Sequence, residues 1–241
     1  MRVLVTRPEL DARREAEALL ARGHDPVLAP LLEIEFLKNV WLDLEGAQAI
    51  IITSRNALRA LETHPQRDEV VALPLIAVGE ATAWAGRQFG FHEVTIGPGT
   101  GAGLPPIIRR ELHPEKGALV HIGAEKLAFD LKTALEEDGY EVRRPVLYRS
   151  HAVEALPEPV ISELVSGAIK NVLLMSPRTA RIFARVAQRE GLVTDAKELV
   201  CYCLSKAIAD AVAPLGFLVR VPAHPREEEL LALLDAMAPS S

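Results

Sequence analysis

AIIITSRNALRAL, residues 49–61, opens as a run of aliphatic residues, Ala49-Ile50-Ile51-Ile52, breaks at a polar Thr53-Ser54-Arg55-Asn56 turn and continues as an amphipathic helical stretch. The pattern returns as NVLLMSPRTARIF, residues 171–183, with Ser54 lying over Ser176. Two further pairs extend the repeat. VGEATAWAGRQFGF (78–91) lies over LSKAIADAVAPLGF (204–217), matching Gly90-Phe91 to Gly216-Phe217, and LVTRPELDARREAEALLARG (4–23) loosely resembles LVHIGAEKLAFDLKTALEEDG (119–139). Three strand-turn-helix units therefore occur twice.

Their strands are 3–5, 49–52, 75–78, 118–122, 172–175 and 200–204, nearly continuous apolar runs. Such runs are expected where helices cover both faces of a parallel sheet, so the fold class is α/β. Two segments break the alternation and read as extended connectors, 31–36 and 145–150. They predict a discontinuous α/β domain of residues 1–30 plus 151–241, an inserted α/β domain of residues 37–144, and two connector strands between them.

A chain of 241 residues has room for two domains of ordinary size, and its 49% hydrophobic content supplies a core for each. The formal charge of −6 gives no general footprint for nucleic acid or a membrane surface, so an anionic ligand would have to be attracted by local geometry. No apolar run approaches the length of a membrane span, and the opening apolar stretch is too short for a signal peptide. A cytoplasmic location is expected. Cys201 and Cys203, two apart on a strand, share one face and read as buried core thiols, because their spacing suits neither a redox pair nor a zinc half-site.

Five segments, VLVTRP (3–8), TSRNAL (53–58), VGEATA (78–83), VLYRS (146–150) and SPRTA (176–180), stand in an order and spacing that resembles the uroporphyrinogen-III synthase family over essentially the whole chain. The resemblance implies two flavodoxin-like parallel-sheet domains joined by a two-stranded β connector, with the active site in the interdomain cleft. It implies a cofactor-free lyase of tetrapyrrole biosynthesis that cyclises hydroxymethylbilane, four pyrroles with eight carboxylates, to uroporphyrinogen III. In that reaction the terminal hydroxymethyl group leaves as water, the last ring attacks through its substituted carbon to give a spirocyclic intermediate, and ring D is inverted. A monomer that receives the bilane by transient handover from hydroxymethylbilane synthase is expected. The chain departs from the family where Ser205 and Ile208 replace a glycine and a threonine, and where HIGAEK lacks an arginine after Gly123. Lys126 is the nearest substitute for that charge, and no binding role carries over to Ile208.

The turns after parallel strands present unpaired backbone N–H groups and positive helix ends, which suit a polycarboxylate. Thr6, Arg7, Ser54, Asn56, Gly79, Thr82, Gly123, Ser176, Arg178, Thr179 and Ser205 are the substrate-binding candidates, the arginines for their two-pronged grip on a carboxylate. Serine, threonine and asparagine at such turns also serve as helix caps, and the sequence leaves both roles open. Tyr148, on the second connector, matches the position of the family's favoured proton donor to the leaving hydroxyl.

Three patterns are set aside. Gly97-Pro98-Gly99-Thr100-Gly101-Ala102 has the letters of a dinucleotide-binding turn, but Pro98, the Pro105-Pro106 pair and the strand's place in its unit argue against that role. The seven histidines lack the spacing of a metal site and read as surface or core residues. Glu227-Glu228-Glu229 reads as the acidic start of the last helix. The alternative to a synthase is a non-catalytic two-lobed small-molecule sensor or a synthase-like regulatory domain.

Overall fold

The computed structural model describes residues 1–196 and 198–237; residues 238–241, the end of the discontinuous domain expected from the sequence, lie outside the described residues. In chain order the strands are β1 Arg2–Val5, β2 Asp25–Leu28, β3 Leu32–Phe36, β4 Ala47–Ile52, β5 Leu75–Ala77, β6 Val94–Ile96, β7 Ala118–Ala124, β8 Val142–Arg143, β9 Val146–Ala152, β10 Asn171–Leu174, β11 Val200–Cys203 and β12 Leu218–Arg220. The helices are α1 Glu9–Leu20, α2 Arg55–Leu61, α3 Arg67–Val71, α4 Glu80–Phe89, α5 Leu104–Glu111, α6 Leu131–Glu136, α7 Glu158–Val165, α8 Pro177–Arg189, α9 Leu192–Asp195, α10 Lys206–Val212 and α11 Glu227–Asp235. Each of the six apolar runs read from the sequence is a strand.

Two compact units form, Met1–Glu33 with His151–Ser241 (unit 1) and Ile34–Ser150 (unit 2). In unit 1 the sheet order is β2-β1-β10-β11-β12 with every pairing parallel. Unit 2 has β8-β7-β4-β5-β6, also all parallel. These are one spatial order with the chain cut at a different place, which is the structural meaning of the sequence repeat. Beyond β8, β9 pairs with the far half of β7, Gly123 opposite Val146, and β3 lies next to β9.

Strand side chains alternate between the two faces. On β4, Ile50 and Ile52 pack into one hydrophobic cluster and Ala49 and Ile51 into another, all fully buried. On β11, Cys201 and Cys203 share one cluster while Tyr202 faces the other. Burying one such Ile or Leu side chain contributes about 1.5–3 kcal/mol, which explains why both faces must be covered. The repeated Gly-Phe pairs have a shared backbone role. Gly90 follows α4 at φ 125° and Gly216 follows the turn after α10 at φ 76°, a region that side-chain-bearing residues rarely enter.

Candidate active site

In unit 2, β7 and β4 lie side by side, and the chain leaves β4 toward β5 but leaves β7 toward β8. The outward divergence opens a crevice at the carboxyl ends of these strands, the place where open α/β sheets bind ligands. A cavity of about 360 Å³ sits there, lined by Thr53 and Ser54 after β4, Val78 after β5, Gly99-Thr100-Gly101 after β6, His121 and Ala124 of β7, Lys126 beyond it, and Tyr148 of β9.

Ser54 is extended at the start of α2, and its Oγ accepts a hydrogen bond from the Asn56 N–H at 3.2 Å. Asn56 is buried, and its Oδ1 accepts from Arg59 Nη1 at 2.7 Å. Gly79 opens α4, where a Cβ would stand 3.0 Å from the Cα of Gly99, so two turns touch backbone to backbone. Gly97 is tighter: a Cβ would lie 2.7 Å from the Val78 carbonyl and 2.8 Å from that of Ala77. Backbone bonds from Gly97 N to Ala77 O, 2.8 Å, and from Gly99 N to Val78 O, 2.7 Å, hold the loop against β5. The glycine-rich run set aside as a misleading nucleotide motif is thus a wall of the cavity. Its signal in the sequence was the clustering of small residues opposite Gly79, which is readable only once β5 and β6 are known to be neighbours.

Tyr148 is 6% exposed, lines the cavity, and places its ring 6.5 Å from that of Phe36. Its carbonyl accepts from Glu125 N at 3.0 Å, which fixes β9 beside the end of β7. His121 is the residue the sequence reading missed. It interrupts an apolar strand, is 1% exposed, faces Thr53 Oγ1 through Nε2 at 3.3 Å, and leaves Nδ1 buried without a partner. Burial, reinforced by the Arg144 charge and opposed by Asp130, pushes its pKa down to about 4, so the ring is neutral at neutral pH. Gly123, Asn56, Gly79 and Thr82 do not line the cavity: the Gly123 N–H bonds to the Pro145 carbonyl at 3.3 Å, and Thr82 is buried in the first turn of α4.

In unit 1 the candidates stand at the carboxyl ends of β1, β10 and β11. Thr6 is fully buried and its hydroxyl donates to the Leu173 carbonyl at 2.7 Å, tying β1 to β10. Arg7 pairs with Glu227 at 3.2 Å. Ser176 caps α8, accepting from Thr179 N at 3.1 Å and standing 2.8 Å from the Thr179 hydroxyl. Ser205 opens α10 without a side-chain cap bond, and Arg178 lies in the first turn of α8. A larger hollow of about 660 Å³ lies at the amino ends of β10 and β11, lined in part by Lys170 and Glu198, and it gathers none of these turn residues. Among the described residues no group of three histidine, cysteine or acidic side chains is placed to hold a metal, and no helix is long and apolar enough to cross a membrane.

The fold and the strand-end turns define a two-unit, parallel-sheet α/β protein with a cavity at a topological switch point. A family model described as uroporphyrinogen-III synthase HemD matches residues 13–232, and the chain belongs to that family, the enzymes that act as lyases in tetrapyrrole biosynthesis. The chain is similar to the uroporphyrinogen-III synthetase structure from Helicobacter pylori 26695, with 19% identity and a TM-score of 0.66 over 99% of this chain and 100% of that one. It is similar also to a mutant uroporphyrinogen III synthase from the extremely thermophilic bacterium Thermus thermophilus, with 21% identity and a TM-score of 0.60 over 98% and 96% of the two chains. At these identities the likeness carries the fold. No curated protein sequence gives a match.

Proposed function

We propose that this chain cyclises hydroxymethylbilane to uroporphyrinogen III, with Tyr148 as the proton donor to the departing hydroxyl. The observation that carries the reading is the placement of Tyr148: a buried ring lining a cavity among strand-end turns at the switch point of unit 2. A phenol is a weak acid whose hydroxyl proton can be donated as the C–O bond breaks. A cavity of this volume suits one pyrrole with its two carboxylate arms, not the whole bilane. Ser54 and the adjoining turn N–H groups would receive one carboxylate, and Lys126 would offer a charge to another.

Asn56, Gly79, Thr82 and Gly123 support this site from behind, and Gly79 allows its turn to meet Gly99 backbone to backbone. The turns of unit 1, with Arg7, Ser176, Arg178, Thr179 and Ser205, are further carboxylate contacts in this proposal, while Thr6 ties β1 to β10 behind them. Folding the flexible bilane so that its ends meet supplies most of the rate, since proximity and orientation lower the barrier more than a single weak acid does. The protein works without a cofactor, as a cytoplasmic monomer that takes its substrate from hydroxymethylbilane synthase. The test is to supply hydroxymethylbilane, oxidise the product and resolve the porphyrin isomers. Isomer III supports the reading; isomer I at the spontaneous rate overturns it.

A further inference from the structure

We propose that His121 is a positioning residue whose Nε2–H holds the Thr53 hydroxyl oxygen, so that Thr53 directs its own proton into the cavity as a donor to a substrate carboxylate. The proposal rests on the cavity of unit 2 being the substrate site. Register brings the two residues together. His121 of β7 lies opposite Ile51 of β4, and Thr53, two residues beyond Ile51, continues on the same face. The resulting contact is 3.3 Å from Thr53 Oγ1 to His121 Nε2, and both residues line the cavity.

The polarity of that bond follows from the orphaned nitrogen. A neutral imidazole carries one N–H and one bare nitrogen, and Nδ1 is buried with no partner. If the proton sat on Nδ1, it would be a buried donor bonded to nothing, the rarer and costlier kind of unsatisfied group. With the proton on Nε2, the orphan is only an acceptor, and the Thr53 oxygen receives a hydrogen bond. A hydroxyl has one proton and two lone pairs, so accepting from Nε2–H leaves the Thr53 proton for another acceptor. The His121 contact is the one side-chain hydrogen bond of Thr53 among the described residues, and the residue stands at the cavity wall. Thr6 is the contrast, since its proton is taken by the Leu173 carbonyl. Suppression of the ring's ionisation by burial keeps this arrangement fixed through neutral pH, whereas a charged ring would present a second donor.

Five variants and one spectrum test the assignment in the full-length protein. Thr53→Val is expected to raise KM for hydroxymethylbilane about 10-fold with kcat little changed, the effect of losing a hydrogen bond to a charged group. His121→Leu should raise KM to the same extent, and the double variant no further, because the two act through one bond. Thr53→Ser and His121→Gln, which keep the hydroxyl and an N–H donor, should recover most of the loss. Additive effects, or an unchanged KM in His121→Leu, overturn the proposal. Independently of catalysis, nitrogen-15 NMR of the wild-type ring, assigned through bonds from the His121 backbone, should show Nε2 protonated and Nδ1 bare. The opposite tautomer refutes the assignment even if every variant fails to fold. A wild-type protein that makes no isomer III would instead refute the function while leaving the spectrum to decide the tautomer.

Discussion

Glu15→Gln should make unit 1 more stable at alkaline pH, by an amount that vanishes in acid. Glu15 sits on α1 at 1% exposure with neither carboxylate oxygen hydrogen-bonded. Burial pushes its pKa up to about 7; the Arg7 charge opposes the rise, while Glu227 and Asp11 add to it. The unfolded chain releases this proton near the ordinary value of 4.5, and the folded chain keeps it to about 7. Between those values the folded state binds more protons, so stability falls as pH rises, at about 1.4 kcal/mol per unit, and the total lost above pH 7 is about 3 kcal/mol. Glutamine has the same shape and does not titrate. Hydrogen exchange of β1 and α1 peptides, corrected for intrinsic rates, should therefore show the variant about 3 kcal/mol more protected near pH 8 and within about 1 kcal/mol of the parent near pH 5. A difference independent of pH, or a variant less protected near pH 8, would show that Glu15 is ionised in the folded protein at neutral pH.

Unit 2 should respond to acid in the opposite sense. The folded-state pKa of His121 is depressed to about 4 from an ordinary 6.5, so the stability present above 6.5 drains as pH falls toward 4, by about 3 kcal/mol in total, read as lost protection in β7 peptides. Tyr148→Phe is expected to lower turnover by about 10- to 100-fold while the product remains isomer III; complete loss with folding and binding intact would mean a larger acid role than proposed. Gly97→Ala should cost about 1–3 kcal/mol in thermal denaturation and raise KM, because its Cβ would drive the loop off the Ala77 and Val78 carbonyls; a wild-type melting temperature would show that the loop yields freely.

The strand runs, the parallel class and the twofold repeat were legible because they are periodic and local. Ile50 and Ile52 announce one face and Ile51 the other without reference to anything distant. The cap at Ser176 was one of the two roles the sequence left open at that turn, and the structure shows its hydroxyl accepting from the Thr179 N–H. The cavity was less so. Ser54 and Tyr148 were chosen from the family motifs and line it, but Gly99, Thr100 and Gly101 were set aside with the nucleotide motif whose letters they share, and His121 was grouped with surface and core histidines. Thr6 looked like a ligand donor, yet its hydroxyl is spent on a carbonyl of β10, a strand more than a hundred residues away.

Composition, periodicity and the repeated strand-turn-helix pattern by themselves determined what kind of protein this is, because a side chain's preference for a strand, a turn or a helix face is settled by its near neighbours. Which turns meet, which polar groups lose water, and which nitrogen of His121 finds a partner were decided only by the tertiary structure. The β4–β7 pairing sets His121 opposite Ile51 and so brings Thr53 within 3.3 Å of its ring, and burial then holds that ring neutral. Those are effects of distance and dielectric, and the linear order of residues does not encode them locally.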